Sequence, residues 1–123
     1  MDDATMEVAR KVAAALEKSG RTGLRLQVEK SIANHNAGQL SDPVAIAALV
    51  ISVATLAWRV AWDVYLEHQK RRPDKELDAE VRNSVEKSVK EELNSSTVAD
   101  QATRALLIKA TTEAVLARLA ASR

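Results

Sequence analysis

Residues 44–58 read VAIAALVISVATLAW, a run without a single charge, and its last residue opens a group, Trp58, Trp62 and Tyr65, that holds every aromatic side chain in the protein. Spaced i, i+4, i+7, the three rings share one face if the segment is helical. A basic cluster, Lys70-Arg71-Arg72, follows directly. Trp and Tyr favour the level where an apolar body meets a wet edge, and basic residues just beyond such a level mark a cytoplasmic membrane flank. Ser41-Asp42 supplies capping side chains ahead of Pro43, a residue suited to the first helical position, and no breaker follows until Pro73. The spacing therefore predicts one long apolar helix over residues 43–71, ended by the restriction proline places on its predecessor. Ser52, Thr55, Arg59, Asp63 and Glu67 recur at intervals of three and four and form a narrow polar stripe on it, along which Arg59 and Asp63 can pair.

Two readings of this helix follow. Crossing a bilayer takes about 20 residues at roughly 1.5 Å each. A span would have to extend to Trp62 or Leu66, with Arg59 and Asp63 snorkelling to an edge or neutralising each other. Trp58, Trp62, Tyr65, Lys70, Arg71 and Arg72 would then be the membrane-interface residues. Lys70, Arg71, Arg72, Lys75 and Arg82, set against Arg25 and Lys30, place the C-terminal part in the cytoplasm. In the alternative the helix is the centre of a soluble cytoplasmic bundle, the polar stripe faces water, and Trp58 and Trp62 anchor the core.

Outward from this segment the chain divides into an N-terminal helical part (1–42), the apolar helix (43–72) and a charged helical pair (73–123). A helix over 4–18 presents Met6, Val8, Val12, Ala13 and Leu16 on one face, with Asp2 and Asp3 at its N-terminus and Gly20 placed to cap its end. Residues 22–36 are ambiguous. Leu24, Leu26 and Val28 alternate like a strand, while Leu24, Val28 and Ile32 recur at helical spacing, and helix is preferred because no second strand exists to pair with. Over 75–93, Leu77, Val81, Val85, Val89 and Leu93 form a thin ridge on a charged helix, able to serve one neighbour: helix five, or the same ridge of a second copy. Thr97 and Asp100 suggest a capping box for a last helix over 98–121, with Val98, Ala102, Ala105, Ile108, Val115, Leu116 and Leu119 as its apolar face.

Composition narrows the function. Eighteen Lys and Arg against 17 Asp and Glu leave a net charge of +1, no field to gather nucleic acid. With no cysteine, disulfides, thiolate catalysis and Cys-based zinc sites are excluded. His35 and His68 fall on different elements and lack metal-ligand spacing; Gly20, Gly23 and Gly38 form no phosphate loop, and no nucleophile elbow occurs. The N-terminus, acidic and charged throughout, lacks the pattern of a secretory signal.

The segment DPVAIAALVISVATLAW, with Trp62-Asp63-Val64-Tyr65, the basic cluster, Pro73 and the Val-spaced helix after it, resembles small actinobacterial accessory proteins of bacterial conflict systems, which carry an SVxxLAW-like apolar helix and a charged helical tail. Residues 52–58 carry the match, which extends over about 42–93. The resemblance implies a non-enzymatic, often membrane-associated accessory component and transfers no functional residues. The expectation is thus an all-α protein, a bundle of four to five helices with one long apolar helix. It would act without cofactor, metal or small-molecule substrate, as a membrane-associated interaction module whose partner is another protein or a second copy. A soluble dimerising adaptor is the first alternative, and a membrane-active toxin or pore subunit lined by Ser52, Thr55, Arg59 and Asp63 is the second.

Overall fold

The computed structural model describes residues 2–20, 23–36, 45–71, 77–96 and 100–122. They form five helices and, among the described residues, no strand: α1 (Asp3–Lys18), α2 (Leu24–Asn36), α3 (Ala45–Arg71), α4 (Leu77–Asn94) and α5 (Gln101–Ser122). The Ser41-Asp42-Pro43 start of α3 and the Thr97 cap lie outside the described residues.

Local chemistry sets the helix ends. Asp2 accepts the Thr5 backbone N–H at 2.8 Å and caps α1. At its other end Gly20 takes φ +108° and donates its N–H to the Glu17 carbonyl, a left-handed position that favours glycine. Gly23, at φ +81°, turns the chain into α2 and accepts the first helical bond there, from Gln27 N–H. The ambiguity of residues 22–36 resolves as helix: Leu24, Val28 and Ile32 point inward and Leu26 stands 61% exposed. Asp100 caps α5, accepting the Thr103 N–H at 2.8 Å.

α3 touches all four other helices, α1 packs on α2, α3 and α5, and α4 packs on α3 and α5. α1 and α5 run antiparallel. Glu7 Oε2 meets Arg118 Nε at 3.2 Å near one end, and Ser19 and Gly20 share a groove with Asp100 and Thr103 at the other. One apolar cluster joins all five helices, from Val8, Val12 and Leu16 through Leu24, Val50 and Val53 to Val81, Val85, Leu107 and Leu119. Each such side chain removed from water contributes about 1.5–3 kcal/mol before conformational entropy is subtracted.

Two expectations about packing are corrected. The α4 ridge serves two neighbours, because α3 and α5 both lie against it and together bury Leu77, Val81, Val85, Val89 and Leu93 within one chain. On α5 the buried face is rotated from the expected one: it consists of Thr103, Leu107, Thr111, Thr112, Ala114, Val115 and Leu119, while Ala102 and Ala105 are exposed. Threonine reads as polar in a sequence, yet in a helix its hydroxyl can fold back onto the preceding turn. Thr112 does so, donating to the Ile108 carbonyl at 2.8 Å, and so enters the core with its hydrogen bond made.

Candidate interaction surface

α3 distributes its side chains by size. Apart from Leu49, only alanine and valine are buried on it: Ala47, Val50, Val53, Ala54, Ala57 and Ala61. These small residues let four neighbouring helices approach closely. The larger ones, Ile51, Leu56, Trp58, Trp62 and Tyr65, sit half-buried on its flanks together with Val60 and Val64, and Leu66 is 42% exposed.

The aromatic group forms a continuous ladder on one flank. Trp58 and Trp62 have ring centroids 5.7 Å apart at 30°, and Trp62 and Tyr65 are 5.3 Å apart at 43°. Both spacings fall in the range of favourable tilted aromatic pairs. Gln69 Nε2 donates to the Tyr65 hydroxyl at 2.7 Å and fixes its wet end. Lys70 and Arg71 close the helix, but their side chains, like all of Arg72, lie outside the described residues.

Ser52, Thr55, Arg59 and Asp63 form the exposed crest of α3. Thr55 donates its hydroxyl to the Ile51 carbonyl at 2.8 Å. Arg59 and Asp63 do not form the expected pair: no ion pair joins them among the described residues, since exposed side chains one turn apart gain too little from pairing to hold a fixed geometry. Ser52, Thr55 and Arg59 instead line an open groove of about 520 Å³, whose far wall is Asp2 and Thr5 at the start of α1.

Cross-helix polar ties complete the surface, and the sequence alone did not show them because they join residues far apart in the chain. His68 Nδ1 lies 3.0 Å from Glu80 Oε2 and ties the end of α3 to the start of α4, with the His68 side chain 12% exposed. Arg10 holds Glu29 through two guanidinium nitrogens, linking α1 to α2, and this contact pushes the Arg10 pKa up. Arg104 reaches the Ser96 carbonyl at 2.7 Å across the α4–α5 turn. The α4 ridge, expected as an interaction seam, is inside the bundle and absent from this surface. The described part of His35 is backbone only, and no group of three or more His, Asp or Glu that could hold a metal occurs among the described residues.

Ile46–Gln69 is the one helical segment among the described residues long and apolar enough to cross a membrane, and a third of its apolar window is buried within the bundle. No protein family, curated protein or solved structure matches this chain.

Proposed function

We propose that the chain is a non-catalytic helical interaction module that works as a closed bundle in water, with α3 packed against its four neighbours. The observation that carries this reading is the orientation of α3, small residues inward and the polar crest Ser52, Thr55, Arg59 and Asp63 outward. To span a bilayer, α3 would have to shed helices whose outer sides are charged, α4 above all, and leave Arg59 and Asp63 unpaired in hydrocarbon at a cost of several kcal/mol. The polar side chains that could carry chemistry are engaged in structure: His68 with Glu80, Arg10 with Glu29, Glu7 with Arg118. An accessory role, of the kind the resemblance to conflict-system components implies, fits a module of this sort.

A second reading keeps α3 as a membrane anchor. Its support is the length of the Ile46–Gln69 segment and the two thirds of its apolar window left outside the core. Fractionation separates the two. The closed bundle is recovered as a monodisperse soluble species without detergent, whereas an anchored protein stays with the membrane pellet through high-salt and carbonate washes, because apolar burial is insensitive to ionic strength.

A further inference from the structure

The rotation of α5 leaves an outward face with a twofold pattern. With Thr111 fully buried at the back of the helix, the residues in front of it pair off at equal distances on either side: Lys109 with Glu113, Leu106 with Leu116, Ala105 with Ala117, Ala102 with Ala120. A symmetric antiparallel contact requires a self-complementary face, since in it residue i meets j and j meets i, and here the positions that meet match in size. The charges obey the same rule. In an antiparallel pair centred on position 111, Lys109 faces the partner's Glu113 and Glu113 faces the partner's Lys109. Within one chain neither has an ion-pair partner among the described residues, and the order Lys then Glu at i, i+4 is the weaker orientation for pairing along one helix. The remaining positions are alanine or half-buried leucine, so two backbones can come close. An open groove of about 380 Å³ between α5 and α1, floored by Ala15, Ala110 and Ala114, leaves room for the partner's leucines.

We infer that this face is where a second copy of the chain docks, α5 against α5 antiparallel, about a twofold axis at residue 111. The contact is distinct from the α4 ridge, which is filled within the chain, and it does not depend on whether α3 faces water or lipid. It rests on the two-way match of charge and leucine; the alanines only permit the approach.

The test uses the full chain in equilibrium sedimentation from micromolar to millimolar concentration. Lys109→Glu alone, or Glu113→Lys alone, places like charges opposite each other twice per dimer and raises the dimer dissociation constant by at least about tenfold; the double reversal restores it. Orientation is read by cross-linking, which the absence of cysteine makes clean. A mixture of Ala105→Cys and Ala117→Cys proteins is joined by a short bis-maleimide, whereas Ala105→Cys alone is not, because two copies of that position stand about 18 Å apart along an antiparallel pair. Circular dichroism confirms that each variant stays helical. A chain monomeric throughout the range overturns the inference, as does a dimer indifferent to the single reversals, a double reversal that fails to restore it, or self-linking of Ala105→Cys.

Discussion

α4 and α5 are neighbours of similar length, and they use sequence in opposite ways. α4 puts branched aliphatic residues at one spacing, Leu77, Val81, Val85, Val89 and Leu93, and surrounds them with charge, so only one orientation can bury apolar surface. α5 carries apolar and weakly polar residues on every side. Its alanines and threonines are close in size, and nothing in the pattern alone decides which go inside. There the neighbours choose: α1, α3 and α4 enclose Thr103, Leu107, Thr111 and Val115, and Ala102, Ala105 and Ala117 are left outside. A helix announces its inner face only when the two faces differ strongly in transfer energy.

The largest effect should separate the two helices directly. Val85→Glu buries a carboxylate at a fully enclosed site and should cost a few kcal/mol or unfold the chain, whereas Ala105→Glu on the exposed side of α5 should change stability by no more than about half a kcal/mol in the monomer. Chemical denaturation at low protein concentration measures both. Comparable losses would mean that α5 is rotated back toward the face expected from its alanines.

A smaller effect tests the threonines. Thr111 is fully buried and its hydroxyl has no partner among the described residues, while the Thr112 hydroxyl is bonded to Ile108. Thr111→Val keeps the shape and removes an unsatisfied group, so it should stabilise by about 1 kcal/mol; Thr112→Val, which gives up a made bond, should be neutral or mildly destabilising. The reverse order would show that the Thr111 hydroxyl bonds to something in solution.

At the margin of α4, Glu80→Ala removes the partner of His68 and should lower stability by about half a kcal/mol, more than Asp63→Ala, whose carboxylate is exposed and makes no ion pair among the described residues. An Arg59–Asp63 pair of the kind the spacing suggests would reverse this order, so thermal melts of the two variants are a direct check on the polar crest of α3. At the seam where α5 meets α1, Asp2 sets the smallest effect. Hydrogen bonds from Thr5, aided by the positive charge of Arg118, hold its carboxyl below its ordinary value of 3.8. Because the folded pKa is depressed, the contribution is fully present above 3.8 and fades as pH falls through the folded value. Asp2→Asn should flatten that acid limb, and an unchanged acid titration would show that the cap is not formed.

How much of this was legible follows the same contrast. The all-α class, the long apolar helix and the inner face of α4 can be read because their patterns admit one solution. The burial of threonine on α5 and the ties His68–Glu80 and Arg10–Glu29 cannot, since each depends on which helices meet and at what height. For the candidate surface, the grouping of Trp58, Trp62 and Tyr65 on one flank was legible from spacing. That small residues on the same helix would face inward was not, because alanine is compatible with either side.

The position of α3 among its neighbours also has a consequence during synthesis. Two of the four helices that cover it, α4 and α5, lie after it in the chain, so they leave the ribosome after it. At roughly 5–20 residues per second, the uncharged run of α3 stands uncovered on that side for about 3–10 s in each nascent chain. Over that interval the emerging polypeptide presents to targeting factors and chaperones the same apolar stretch a membrane protein would. Covering of α3 on that side therefore waits on the arrival of α4 and α5.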